Sequence, residues 1–460
     1  MPELPEVETV RTELEKRLIG LTFSTPTVYY KRLIQSDYSS FKSIEGKKIL
    51  SIGRKGKFLV FHLSEDKKMI FHLRMEGKLF VVDKESHSMS HLSLFIPFES
   101  SSLGLAFYDV RKFGVCYLLD ESEEGPLSKL GKEPFEIEDY HYIKERYNRS
   151  DKPIKELLLD QTIMSGIGNI YADEICFACK ISPFLKGSMI TDQIAKDILE
   201  ESKRILKKAI ENHGSTVRSY KATQDEAGSF QDFLKVYSRS GKECLCCKKV
   251  KIEKIKLSGR GTSYCPICQH VGISVAVTGK IASGKSLVCS YFKGEGFVLF
   301  SADDEVHKMY NDKAFLLSLK KVFPMVFTPE LNKSKITELL GNDKTFKRKY
   351  ECFINREVKN RIMEFKIAHD GEDKVFEIPL LFDAKMEKDF TYTVGVETTR
   401  QSEHLQERGE DDSRKVFNLL NSYDKNRRKL DYIITTDGTK EELKQKVSDL
   451  IKKIKDSIVK

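Results

Sequence analysis

The chain has 460 residues, 40% of them apolar and 32% charged, enough to bury several cores and to divide into two to four domains. Lysine and arginine total 78 against 69 acidic residues, and the resulting +9 suits a phosphate-bearing partner without choosing among DNA, RNA and nucleotides. No stretch approaches about 18 uninterrupted apolar residues, and the opening MPELPEVETV carries glutamates where a secretory leader is basic and then apolar. A soluble, cytoplasmic, monomeric chain with no membrane partner is expected.

In chain order, Leu4, Val7, Val10, Leu14 and Leu18 recur at helical steps and Gly20 follows, which predicts a buried amphipathic helix. From Lys57 to Leu119 the pattern changes to short β-rich runs, KFLVFHL, MIFHLRM, KLFVV, LSLFI, LGLAFYD and FGVCYLL, and predicts an antiparallel sandwich or barrel. Helical period returns between about Pro134 and Tyr237, most clearly over Thr191–His213, where Ile194, Ile198, Ile205 and Ala209 share a face and Gly214 can stop the helix. A cysteine-bounded segment then leads into ISVAVTGKIASGKS, a strand, glycine-rich loop and helix. The expected domains are therefore 1–133, 134–236, 237–269 and 271–460, with the main boundary near His270.

Cys244-x2-Cys247 and Cys265-x2-Cys268 have the spacing of a four-thiolate structural zinc site, each pair on the turn of a hairpin. Cys246 is expected to point away, and Cys176-x2-Cys179, inside a predicted helix, reads as core. Tyr237–Cys268 holds 8 basic and 2 acidic residues, which makes this segment the basic patch. Two glycines flank Arg260, so a hairpin tip can bring its guanidinium to a phosphate; a surface arginine without a role fits equally.

With Met1 removed, Pro2 would present a secondary amine titrating near neutrality, able to attack an electrophilic sugar carbon, with Glu3 or Glu6 as a nearby proton donor. Taken alone, Pro-Glu is also ordinary chemistry for a helix start. The motifs MPELPEVETV, GRKGKF, HLRMEGKL, YDVRKFG, LLLDQTIMSGIGNIYADEI, GSFQDFLKVYSR and GRGTSYCPICQ, in this order, closely resemble formamidopyrimidine-DNA glycosylase, which excises oxidised purines and nicks the abasic site. The resemblance runs from Met1 to about Gln269. It implies a β-sandwich catalytic domain, a helix-two-turn-helix domain and a zinc ribbon acting on double-stranded DNA that contains oxidised purines (8-oxoguanine, formamidopyrimidines) or abasic sites.

By that resemblance Pro2 is the Schiff-base nucleophile, Glu3 the acid, and Glu6 a support for the opened sugar. Lys57 and Arg260 contact phosphates and assist β,δ-elimination. Met75, Arg111 and Phe113 enter the space left by the flipped nucleotide, although Met75 and Phe113 could also be core residues. His72, His91, Lys155 and Asn169 contact the DNA backbone, Asn169 through the amides of the helix it begins. The segment Gly214–Gly228 closes over the extruded base.

Gly279-KIAS-Gly284-Lys285-Ser286, between an apolar strand and a helix, fits a P-loop, with Ala282 and Ser283 among the backbone amides that cradle the phosphates of ATP and Ser286 on Mg²⁺. TGKIASGKS, FSADDEVH, EIPLLFDA and LDYIITTDGT resemble dephospho-coenzyme A kinase, from about Ile273 to Lys460. That resemblance makes Asp303 the acceptor of the ribose 3′-hydroxyl proton of dephospho-coenzyme A and Arg408 a lid residue on the transferred phosphoryl. Ser301 stands where the family has aspartate, Asn355-Arg356 replaces His-Pro, and no lid glutamine is identifiable near Asn418–Ser422. The leading reading is a fusion of a bifunctional glycosylase/lyase with an ATP-dependent kinase. A damaged-DNA-binding module without catalysis, and a glycosylase with an inactive nucleotide-binding P-loop domain, are the alternatives.

Overall fold

A computed structural model describes residues 1–85, 87–215, 229–400 and 422–459, the last three by backbone alone. The chain forms two compact units, 1–179 with 183–237 and 180–182 with 238–460. The cysteine-bounded segment groups with the α/β domain that follows it.

In the first unit, α1 (Leu4–Leu18) buries all five apolar positions read from the sequence. Pro5 lies in its first turn, where the missing N–H has no intrahelical partner to lose, and Gly20 takes φ +86° just beyond its end. Eight strands follow: β1 (Thr27–Val28), β2 (Ile49–Lys55), β3 (Phe58–Leu63), β4 (Lys67–His72), β5 (Lys78–Asp83), β6 (Leu92–Pro97), β7 (Leu103–Tyr108) and β8 (Val115–Asp120). They form two four-stranded antiparallel sheets ordered β1-β6-β7-β5 and β2-β3-β4-β8, so the sandwich alternative holds. One continuous core, including Leu14, Phe61, Phe71 and Phe107, joins α1 to both sheets. Of these strands β1 and β2 escaped the sequence pattern, β1 because it has two residues and β2 because ILSIGRK carries too few apolar residues to alternate cleanly; pairing with β6 and with β3 makes them strands.

Helices α2 (His141–Tyr147), α3 (Ile154–Leu158), α4 (Asn169–Ala178) and α5 (Asp192–Glu211) complete the unit. Thr191 caps α5 by accepting from the amide of Ile194 at 3.3 Å, and Ile198, Ile205 and Ala209 are buried as expected. Arg54 on β2 is 9% exposed at its side chain and binds Glu8 of α1 at 2.7 Å and Glu133 at 2.9 Å, which stitches helix, sheet and the following segment together.

The second unit opens with the hairpin β9 (Glu253–Leu257) and β10 (Arg260–Tyr264). A five-stranded parallel sheet follows, made of β11 (Ser274–Gly279), β12 (Val298–Ser301), β13 (Lys374–Glu377), β14 (Tyr392–Glu397) and β15 (Tyr432–Thr435), in the order β12-β13-β11-β14-β15. β11 is buried along its whole length, the pattern of a central strand covered on both faces. Of helices α6 (Lys285–Gly294), α7 (Ala302–Met309), α8 (Lys313–Val322), α9 (Lys333–Asn342), α10 (Lys344–Ala368), α11 (Tyr423–Asn426) and α12 (Lys440–Val459), α6 links β11 to β12, α7–α10 lie between β12 and β13, α11 precedes β15 and α12 follows it. Ligands of such sheets bind at the carboxyl ends of the strands, where β11 runs into its glycine-rich loop. Among the described residues no helix is long and apolar enough to cross a membrane.

Candidate functional site

Glu3 caps α1 and is 2% exposed. Its carboxylate lies at the amino end of α4, accepting from the amides of Gly168 at 2.7 Å, Ile170 at 2.9 Å and Tyr171 at 3.4 Å. A Cβ at Gly168 would stand 2.3 Å from the Glu3 carboxyl carbon, so only glycine leaves room for this contact. Burial, opposed by the Lys57 charge and reinforced by Glu6, raises the Glu3 pKa to about 7. The group can thus hold or release a proton near neutral pH. Pro2, its neighbour, is buried.

Glu6 accepts from the Glu3 amide at 2.9 Å, the Tyr171 hydroxyl at 2.7 Å and the Ser215 amide at 2.8 Å. Lys57, on the turn between β2 and β3, is 5% exposed and donates to the Ile167 carbonyl at 2.7 Å. Pro2, Glu3, Glu6 and Lys57 are therefore gathered where the start of α1 meets the GIG segment before α4.

A second group is presented outward. Met75 and Phe113 are 43% and 51% exposed, which excludes core packing for both. The Arg111 guanidinium lies over the Phe113 ring at 4.9 Å. Asp109, missed in the sequence, organises this turn: it is 1% exposed, and its carboxylate accepts from the amides of Arg111 at 2.9 Å, Phe113 at 2.8 Å and Gly114 at 2.7 Å. His91 is exposed and its carbonyl accepts from the Asp109 amide at 3.0 Å.

Three expectations for DNA-backbone contacts change. Lys155 is 1% exposed and its ammonium lies 2.6 Å from the Asp173 carboxylate, so it is a core ion pair and not a surface cation. At the start of α4, where Asn169 is expected to offer backbone amides to a phosphate, the amides of Ile170 and Tyr171 are turned to Glu3. His72 is 7% exposed, accepts from the Arg74 amide at 2.9 Å, and is held neutral, its pKa pushed down to about 3 by burial and by the charges of Arg74 and Lys57. Residues 216–228 of the expected closing loop lie outside the described residues.

In the second unit the sulfurs of Cys244, Cys247, Cys265 and Cys268 all lie within 4.8 Å of one another. The pairs Cys244–Cys268 and Cys247–Cys265 are separated by 3.8 and 3.7 Å. Thiolates bound tetrahedrally at about 2.3 Å from one ion stand about 3.8 Å apart, so these four side chains form a metal-binding group. Cys246 is exposed and outside the cluster, and Cys176 is buried within α4. Along β9 the residues alternate, with Lys254 and Lys256 exposed and Glu253, Ile255 and Leu257 buried. Arg260 is exposed beside the hairpin turn, where Gly259 takes φ +81°.

The loop Gly279–Ser286 joins β11 to α6. Gly279, Ala282 and Gly284 all have positive φ, and a Cβ at Gly279 would lie 2.4 Å from the Val396 carbonyl oxygen. The Lys285 ammonium donates to the Lys280 carbonyl at 2.7 Å, folded over the loop it follows. The Ser286 hydroxyl donates to Glu377 at 2.7 Å. Glu377 ends β13, was not singled out in the sequence, and has its pKa raised by burial, with Asp303 and Asp304 near enough to push the same way. Ser301 accepts from the Asp304 amide at 3.3 Å and so caps α7, leaving Asp303 exposed in its first turn. A 220 Å³ cavity beside the loop is lined by Lys280, Ser283, Glu397, Thr398, Tyr423 and Arg427, among others. Arg408 lies outside the described residues, and Asn355 and Arg356 fall within α10.

A sandwich whose first helix buries a tunable carboxyl beside the second residue, followed by helices and a cysteine-bounded hairpin, defines a DNA-repair glycosylase; the parallel sheet adds a P-loop kinase. Family models agree in chain order. Residues 1–116 match the formamidopyrimidine-DNA glycosylase N-terminal domain, 130–221 the formamidopyrimidine-DNA glycosylase H2TH domain, and 273–442 dephospho-CoA kinase. The formamidopyrimidine-DNA glycosylase of Streptococcus pneumoniae is 42% identical over 275 residues, covering 59% of this chain and 99% of the relative. That of Lactococcus lactis is 39% identical over 275 residues, covering 59% and 100%. A solved complex of the Lactococcus lactis enzyme with DNA containing an abasic site is 38% identical, with a TM-score of 0.55, and covers 58% of this chain and 99% of that one. The chain belongs to the formamidopyrimidine-DNA glycosylase family and continues into a dephospho-CoA kinase domain.

Proposed function

We propose that the glycosylase part excises oxidised purines from double-stranded DNA and cleaves the abasic site through a Schiff base on Pro2. The observation that carries this reading is the buried Glu3 carboxyl, next to Pro2, with a pKa of about 7. Once Met1 is removed, the Pro2 nitrogen donates its lone pair to the sugar C1′ and the glycosidic pair leaves with the base. Glu3, neutral before the step, supplies the proton that the sugar ring oxygen takes up as its bond to C1′ breaks, and is left as a carboxylate held by the amides at the start of α4 and by the Lys57 charge. Opening of the ring gives the iminium. Lys57 and Arg260 then offset charge on the departing phosphates. Met75, Arg111 and Phe113 fill the gap in the duplex, held by the Asp109 turn. The four cysteines would hold zinc, and as four protein thiolates they would make it a structural ion that fixes the hairpin.

The kinase domain transfers phosphate from ATP to the ribose 3′-hydroxyl of dephospho-coenzyme A. The loop amides and Lys285 would hold the phosphates, Ser286 and Glu377 would hold Mg²⁺, and Asp303 would accept the hydroxyl proton. The cavity lined by Lys280, Tyr423 and Arg427 adjoins the loop and suits the rest of the nucleotide.

Borohydride trapping on abasic-site DNA with intact-mass analysis tests the first half. A covalent adduct on a chain lacking Met1, lost in Pro2→Gly, is expected; an adduct on another peptide, or on chains that retain Met1, overturns it. ATP, Mg²⁺ and dephospho-coenzyme A should yield ADP, abolished by Lys285→Ala, while the same variant still traps DNA. No ADP above background removes the kinase assignment.

A further inference from the structure

The cysteine-bounded hairpin is anchored from behind by a charged residue that its own function does not need. Glu253, the first residue of β9, is 1% exposed. One oxygen accepts from the Lys366 ammonium of α10 at 2.7 Å and from the Tyr264 hydroxyl of β10 at 2.8 Å. The other accepts from the Ser274 hydroxyl, the first residue of β11, at 2.7 Å, and from the Thr391 hydroxyl that precedes β14. Lys366, also 1% exposed, donates in addition to the Asp389 carbonyl at 2.6 Å and lies over the Phe390 ring at 4.7 Å. Each carboxylate oxygen thus accepts two hydrogen bonds, one of the four donors coming from the partner strand β10 and three from the α/β domain.

An ion pair removed from water is retained only where its partners are fully assembled, and losing one leaves a charge stranded. Such a contact specifies a single docking geometry where an apolar patch would allow sliding. Arg260 opens the strand that carries Tyr264, so the geometry of this anchor is the geometry of Arg260.

We propose that Glu253 and Lys366 are positioning residues for the DNA-cleaving reaction: the α/β domain is the rigid platform that holds the metal-bound hairpin and aims Arg260 at a DNA phosphate. The second half of this statement rests on the reading of Arg260 given above. The full-length protein loaded with zinc is compared with Glu253→Gln, Lys366→Met, Arg260→Ala and Glu253→Gln/Arg260→Ala, with Ser274→Ala as a milder perturbation if the first two fail to fold.

Two readouts are taken. Hydrogen exchange of the Leu257–Thr262 amides should accelerate at least about tenfold in Glu253→Gln, at unchanged zinc content. Affinity for abasic-site DNA should fall about tenfold, with a salt dependence shallower by about one phosphate contact. The double variant should be no weaker than Arg260→Ala alone, which a merely structural role would not produce. Unchanged exchange overturns the anchor. Faster exchange with multiplicative losses of affinity overturns the route through Arg260. Should Arg260→Ala bind DNA normally while exchange still accelerates, the anchor stands and the phosphate role of Arg260 fails.

Discussion

Replacing Glu3 by glutamine removes one titration and leaves the size of the side chain unchanged. In the folded chain Glu3 protonates at about 7, against 4.5 for an ordinary glutamate, because burial outweighs the Lys57 charge and the α4 amides. The raised value means that the native state binds the proton more tightly than the unfolded chain. The stability this contributes is complete below about pH 4.5, declines as pH rises, and is gone once pH passes about 7. The difference in proton affinity converts to about 3 kcal/mol, most of it lost between about pH 4.5 and pH 7. Wild-type stability should therefore fall relative to Glu3→Gln by about that amount over this interval, all other titrations being common to both chains. Two compact units make a single global transition unsafe, so urea unfolding is best read by pulse proteolysis with peptides from α1 and α4. Parallel pH profiles for the two chains would refute the assignment of a nearly neutral pKa, and with it the role of Glu3 as a proton donor.

Gly168→Ala should cost about a hundredfold or more in base excision with abasic-site binding largely retained, since its Cβ would displace the carboxyl proposed to transfer the proton; normal excision by this variant would separate Glu3 from the chemistry. Asp109→Ala strips three amides of one buried acceptor and should destabilise the first unit by about 3 kcal/mol, with weaker binding to lesion DNA in equilibrium titrations; binding unchanged at matched folded fraction would remove the turn from the DNA interface. Metal analysis should find one zinc per chain, kept in Cys246→Ser and lost in Cys247→Ser, and chelation should abolish DNA binding; zinc loss in the Cys246 variant instead would reassign the ligand. Glu377→Gln should reduce ADP formation about a hundredfold and raise the Mg²⁺ requirement, while leaving borohydride trapping intact; an unaltered Mg²⁺ titration would exclude Glu377 from the metal site.

Features encoded over short stretches were legible in the amino-acid order. The helix from Leu4, six of the strands, the P-loop between an apolar strand and a helix, and the paired cysteines all declare themselves through local period or spacing, because backbone geometry repeats over a few residues. What tertiary structure alone decided are the partners of charged groups. Glu3 reads as an acid on a helix until α4, more than a hundred residues on, brings its amides to it. Lys155 reads as a DNA contact until Asp173 closes over it, and Asp109 as one more turn aspartate until three amides converge on it. Glu253, set among lysines, looks like part of a solvated face, yet strand alternation and the packing of the α/β domain turn it inward. A side chain's charge is written in the chain, but whether water or protein answers that charge depends on which distant surfaces fold against it, and no local pattern carries that information.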